Sequence, residues 1–193
     1  MGQKPKILAF AGSLRTESFN KKLIKLAAKG AEKAGAEVTC IDLRDFPLPI
    51  FDQDLEAKEG LPKNAVKLKE LFLAHGGLLI SSPEYNSSIS GVLKNTIDWV
   101  SRGDPRDKPL ACFDQKVAGL MSASPGALGG LRGLVHVRAI LGNIKVLVLP
   151  EQIAISKADE AFNADGSLKD SKQQAAVEKI AARVVQLVSK LNS

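Results

Sequence analysis

Two polar stretches of this chain carry side chains suited to holding a small anionic ligand. The first is Gly12-Ser13-Leu14-Arg15-Thr16-Glu17-Ser18-Phe19-Asn20, which directly follows the apolar run Ile7-Leu8-Ala9-Phe10-Ala11 and precedes a helical pattern. A loop from a strand into a helix leaves backbone N–H groups free and faces the positive end of the helix dipole. Gly12 permits a tight turn. Ser13, Thr16, Ser18 and Asn20 add short hydrogen-bonding groups, and Arg15 can give a phosphate two charge-assisted bonds. The stretch lacks both the Gly-Lys-Ser/Thr ending of a triphosphate loop and the Gly-x-Gly-x-x-Gly of a dinucleotide fingerprint, so a phosphate monoester suits it better than a pyrophosphate. A plain helix cap at Ser18 or Asn20 is the alternative; it accounts for one residue and leaves Arg15 unexplained.

The second stretch, Pro83-Glu84-Tyr85-Asn86, follows the apolar Leu78-Leu79-Ile80. Pro83 stiffens the backbone so that neighbouring peptide groups can face the edge of a planar ligand. Tyr85 offers an aromatic surface, Asn86 both donates and accepts, and Glu84 either orients the loop or stays solvated. Taken alone the tetrapeptide reads equally well as an ordinary turn. A third loop, Ser122 to Gly130, contains only small residues apart from Pro125 and Leu128 and lets backbone come close to a ligand. It also reads as a flexible connector.

These loops need elements to hold them. Leu23, Leu26, Ala27, Ala31 and Ala34 recur at helical spacing and stop at Gly35, and Glu37 to Leu43 reads as a strand. Residues 44–62 contain Pro47, Pro49 and Pro62 and are expected to be loop, followed by a helix over 63–75. Leu93, Ile97 and Val100 mark a helix beginning near Ser90, and residues 102–114 form a connection. A strand over 117–121, a helix over 130–141, a strand over 144–149 and a closing helix carrying Val177, Ile180, Ala181, Val184, Leu187, Val188 and Leu191 complete the pattern. Five strands alternating with five helices call for a parallel sheet covered on both faces. A single α/β domain over 1–193 is expected: a flavodoxin-like three-layer sandwich with a five-stranded parallel sheet in the order 2-1-3-4-5. The polar loops then lie at the carboxyl ends of the strands, where open sheets bind ligands, and together they point to flavin mononucleotide (FMN).

Composition narrows the classes. With 193 residues, 45% hydrophobic and 25% charged, the chain is an ordinary globular domain. Residues 1–30 hold seven basic side chains against Glu17 alone, so they carry the whole net charge of +6. Most of those lysines fall on the outer side of the first helix, with no nucleic-acid motif beside them. We read them as a solvated face whose field attracts anions. Cys40 and Cys112 are far apart and read as buried small hydrophobes in a reducing compartment. His75 and His136 lack metal-site spacing, and His75 sits where a helix dipole favours a cation. No signal core, myristoylation pattern or membrane-length apolar run is evident, so a cytoplasmic location without metal, membrane or nucleic-acid partner is expected.

With these loops placed, the chain resembles the NADPH-dependent FMN reductase family, and within it the bacterial chromate and quinone reductases. The resemblance rests on Gly12-Ser13-Leu14-Arg15 with Ser18-Phe19-Asn20, on Pro83-Glu84-Tyr85-Asn86, on Gly91-x-x-Lys94-Asn95-x-x-Asp98-Trp99 and on Gly129-Gly130-x-Arg132. It implies that Ser13, Arg15, Ser18, Phe19 and Asn20 hold the FMN phosphate. Pro83, Glu84, Tyr85 and Asn86 would line the ring, and Ser122, Ser124 and Gly126 would close the site. Lys94, Asn95, Asp98 and Trp99 look structural or interfacial.

The implied activity passes hydride from NADPH or NADH through FMN to acceptors such as quinones or chromate, in a homodimer or homotetramer. No catalytic side chain is required, because the cofactor carries the chemistry. From charge alone, Arg102 is a candidate contact for anionic substrates. A flavodoxin-type electron carrier without its own NAD(P)H oxidation is the competing expectation, but such carriers usually work through an acidic surface and this chain has a pI near 9.3.

Overall fold

The computed structural model describes residues 4–103 and 107–191. Its centre is one five-stranded parallel sheet, built from β1 (Lys6–Ala11), β2 (Glu37–Ile41), β3 (Gly77–Ser81), β6 (Val117–Ala123) and β7 (Leu147–Ile155), in the order β2-β1-β3-β6-β7. Two very short strands, β4 (Glu84–Tyr85) and β5 (Ser88–Ile89), pair separately as an antiparallel hairpin. Leaving that hairpin aside, the order is the expected 2-1-3-4-5.

The central strands are apolar throughout because both faces are covered. Along β1, Ile7, Ala9 and Ala11 face one core with helices α1 (Phe19–Lys33) and α7 (Ser171–Leu191). Leu8 and Phe10 face the other core, with α3 (Lys63–Ala74), α4 (Gly91–Val100) and α5 (Leu131–Asn143). The three layers follow from this alternation.

Several expectations shift. Residues 44–62 are not all loop: α2 (Gln53–Glu59) is capped by Asp52, whose carboxylate accepts from the N–H groups of Asp54 and Leu55. A short α6 (Ala158–Ala161) is also present. The last strand starts three residues later than 144 and runs through Pro150, which an edge strand tolerates; a register shift between Ala118 and Leu120 accommodates it. Ser122 and Ala123 belong to β6 rather than to the loop after it. Cys40 is exposed, not buried, because β2 is the other edge strand, whereas Cys112 is buried as expected. Part of the 102–114 connection lies outside the described residues.

Candidate functional site

The loops after β1, β3 and β6 converge at the carboxyl edge of the sheet. Gly12 donates to Ser81 O at 2.9 Å, and Ser82 donates to Met121 O at 2.9 Å, so the three strand ends are laced together. Gly12 has a reason different from a tight turn: α4 packs so closely that a Cβ there would sit 3.0 Å from the Cβ of Leu93. Ser90, the cap of α4, reinforces this approach by donating to Gly12 O at 2.6 Å while accepting from Leu93 N–H.

In the first loop the polar groups divide into two sets. Asn20 is buried and fully engaged: Oδ1 accepts from Ser81 Oγ at 2.8 Å and from Ala123 N–H at 3.0 Å, and Nδ2 donates to Ala123 O at 2.8 Å. It clamps α1 to β3 and β6. Phe19 turns its ring away, stacked on Phe162 with centroids 6.3 Å apart. Ser13 accepts from Arg15 N–H at 3.3 Å, a local turn that shapes the loop.

The second set is free. Ser18 occupies the N-cap of α1, yet its side chain makes no capping hydrogen bond. Among the described residues the Arg15 guanidinium has no partner, and it is exposed. The first turn of α1 contains no acid, so no carboxylate within that turn offsets the dipole. A hydroxyl, a guanidinium and a helix start left open in this way are chemically suited to a phosphate monoester.

The second and third loops are arranged differently. Pro83 leads into the β4–β5 hairpin, whose two turn residues Asn86 and Ser87 have φ of 51° and 63°. That is a two-residue turn with both central residues left-handed, a conformation asparagine tolerates. Glu84 reaches across to α5: its carboxylate accepts from Arg132 N–H at 3.0 Å and Gly133 N–H at 3.2 Å, and Arg132 Nε donates to it at 2.8 Å. It therefore caps a helix from a different loop. Burial pushes the Glu84 carboxyl up, but the bonds from Arg132 and Gly133 outweigh that and hold it below the ordinary value.

Ser122 is fully buried and donates to Gly129 O at 2.8 Å, folding the third loop back on its strand. Gly130 follows with φ of 92°, where an added Cβ would meet the Cβ of Ser122 at 2.9 Å. Ser124 Oγ accepts from Gly126 N–H at 3.3 Å. Pro83 is buried, whereas Tyr85 is half-exposed and Pro125, Gly126, Ala127 and Leu128 of the third loop are exposed.

Arg102 does not join this set. It stands just past the far end of α4, a helix of 10 residues that rises about 15 Å away from Ser90. There Arg102 Nε donates to both Glu56 oxygens at 2.8 and 2.9 Å, and the guanidinium lies 5.1 Å from the Phe51 ring centroid. In this chain the guanidinium is thus engaged by Glu56 and Phe51, away from the three loops. Asn95 and Trp99 act nearby, donating to Pro49 O at 2.9 and 2.8 Å and pinning the loop before α2.

Sequence reasoning missed the Glu84–Arg132 link, the Ser81–Asn20 bond and Ser90. The first had a visible signal, since both residues lie in the motifs that carried the resemblance. The other two had none, because a serine beside a strand is uninformative until its neighbours are known. Among the described residues no cluster of three or more His, Cys, Asp or Glu is placed to hold a metal ion, and no helix is long and apolar enough to cross a membrane.

A doubly wound parallel sheet in the order β2-β1-β3-β6-β7, with polar loops after β1, β3 and β6 gathered at one edge, defines a flavodoxin-like fold. The model of the NADPH-dependent FMN reductase family matches residues 5–160. The chain is 36% identical over 173 residues to an NAD(P)H-dependent FMN reductase of Pseudomonas aeruginosa, covering 89% of each chain. It is 37% identical over 150 residues to a quinone reductase of Escherichia coli, covering 77% of this chain and 76% of that one. The solved flavoenzyme NAD(P)H:(acceptor) oxidoreductase FerB of Paracoccus denitrificans superposes with a TM-score of 0.80 at 29% identity, over 96% of this chain and 98% of FerB. The chain belongs to the NADPH-dependent FMN reductase family: it is an oxidoreductase that uses FMN and takes its electrons from NAD(P)H.

Proposed function

We propose that the protein reduces quinones, and also chromate, at the expense of NAD(P)H, with FMN held across the sheet edge by the three loops. The observation that carries this reading is the donor set on the first loop: Ser18 without a capping bond, and an exposed Arg15 whose guanidinium has no partner among the described residues. Arg15, Ser13, Ser18 and the N–H groups of Phe19 and Asn20 would hold the phosphate. Pro83, Tyr85 and the backbone around Asn86 would border the ring, and Ser124 and Gly126 would close its other side. Glu84, Ser122 and the Asn20 side chain would serve this site by fixing its loops. When bound, FMN supplies two-electron acceptance and release; the chain's own residues bind, orient and shield it.

Quinone acceptors are supported by the quinone reductase relative, and chromate by the excess of cations near the first loop. A self-associating assembly, dimer or tetramer, is supported by a row of exposed apolar side chains on and before α5. Leu128, Leu131 and Val135 there are 50%, 42% and 57% exposed, close to a Tyr85 that is 50% exposed. A cytoplasmic site of action as one domain fits the two free thiols.

Anaerobic mixing with NADPH or NADH tests the reading. Flavin bleaching followed by reoxidation with a benzoquinone or chromate is the expected outcome. A flavin that stays oxidised with both nicotinamides overturns it, and light scattering on the same sample measures the assembly.

A further inference from the structure

The segment after β2 presents an apolar side chain that the FMN site leaves unused. Ile50 is 82% exposed, more than any other large apolar side chain among the described residues. Its backbone is nevertheless held on both sides. Asn95 of α4 donates through Nδ2 to Pro49 O at 2.9 Å and accepts from Phe51 N–H at 2.8 Å. The buried Trp99 also donates to Pro49 O at 2.8 Å, and Phe51 meets its ring edge to face, centroids 5.0 Å apart. Asn64 of α3 donates to Pro47 O at 2.9 Å. A loop anchored from two helices that turns its isoleucine outward has met the ordering cost of a contact in advance, as an interface anchor does.

The helix that follows points the same way. α2 buries no residue, and a helix of 7 residues does not hold by itself. Residues 50–59 set four acids against Lys58. Apolar at its tip and acidic behind, this arm suits a cationic surface with an apolar recess. The chain offers one beside it: a cavity of about 250 Å³ whose lining includes Leu14, Arg44, Phe46, Leu48, Val92 and Asn95. Leu14 belongs to the first loop, within the segment 1–30 that carries the net charge of +6. Asn95 both lines the cavity and holds the Ile50 backbone, so projection and recess are neighbours on one surface.

Ile50 does not enter its own recess, since it stays exposed. A two-fold axis between two copies lets each isoleucine enter the recess of the other, the self-complementary arrangement of an isologous contact. We propose that a second copy of this chain covers this face, Ile50 of each seated in the Leu14–Leu48–Val92 cavity of the other, and that the contact tightens FMN binding. Leu14 stands between Ser13 and Arg15, so packing against it steadies the loop; this coupling rests on the reading that the first loop holds the FMN phosphate. By linkage, FMN strengthens the association by the same factor. The face is separate from the Leu128–Val135 row on α5: one isologous face makes a dimer, and two make a tetramer.

Sedimentation velocity and FMN titration on the full chain test it. Ile50→Asp changes a side chain the fold does not use, so the unfolding midpoint should stay put while the particle mass halves. FMN affinity should fall about fivefold or more, the lower end of coupling between two sites. Val92→Phe, which fills the recess from its own side, should give the same two changes. A mass unaltered by Ile50→Asp overturns the proposal, and so does a halved mass with unaltered FMN affinity. Retention of the wild type, but not of Ile50→Asp, on anionic lipid vesicles with no change in mass would make a membrane the occupant and also overturns it. If Arg15→Ala leaves FMN affinity intact, the phosphate-loop reading fails, while the mass of Ile50→Asp still decides the contact.

Discussion

The loop after β1 and the loops after β3 and β6 handle their polar groups in opposite ways. The first leaves a hydroxyl, a guanidinium and a helix start without side-chain partners among the described residues. The other two commit theirs to each other: Glu84 to the start of α5, Ser122 to Gly129, Asn86 to a hairpin turn. On the proposed function, the difference follows from what each recognises. A phosphate is charged and is held by donors that have no other partner. A flat ring presents mostly faces and edges, so it is held by a surface of fixed shape, and shape comes from saturated internal hydrogen bonds.

If that contrast is right, substitutions on the two sides separate binding from stability. The largest effect should come from Asn20→Ala, which lies on the phosphate side but strands the Ala123 peptide and Ser81. A loss of about 3 kcal/mol in urea unfolding is expected, and a loss below about 1 kcal/mol would show the clamp to be ornamental. Arg15→Ala should do the reverse. Flavin affinity, read by fluorescence quenching, should fall by about 2 kcal/mol, while the unfolding midpoint stays put because the side chain is exposed.

Glu84→Gln sharpens the comparison from the other side. Removing the charge from the start of α5 should cost about 1 kcal/mol of stability. It should weaken riboflavin and FMN binding by the same small factor, since the phosphate contacts are elsewhere. A large loss confined to FMN would break the contrast. The smallest effect concerns acid. Partial burial raises the Asp42 carboxyl, but hydrogen bonds from Arg44 and Lys21 bring it down to about 2 from an ordinary 3.8. A depressed carboxyl stabilises fully above its unfolded value and loses that contribution as pH falls through the folded one. About 1 kcal/mol after solvent screening should therefore disappear between about pH 4 and pH 2. Asp42→Asn should flatten that part of the stability curve.

What could be read from the chain differs from element to element. β1, β3 and β6 were legible because strands buried on both faces are continuous apolar runs. α2 was hidden because it buries no residue, so it leaves no stripe to find, and its only mark is Asp52 as cap. β7 was displaced because Pro150 and Glu151 look like a loop, yet an edge strand accepts both. The hairpin was missed because Asn86-Ser87 lacks the glycine that usually announces such a turn. At the site, Arg15 and Ser18 could be selected from residue type and spacing. The roles of Glu84, Ser122 and Arg102 could not, since their partners lie 48, 7 and 46 residues away.

By itself the amino-acid order determined the sheet, the placement of three loops on its carboxyl edge and the donors that the first one carries. Those properties are local: apolar runs, helical spacing, and charge within one turn. Only the tertiary structure decided which polar groups remain available and which are used up. Availability depends on what stands opposite, and a carboxylate is a ligand contact or a helix cap according to a neighbour the chain brings in from far away.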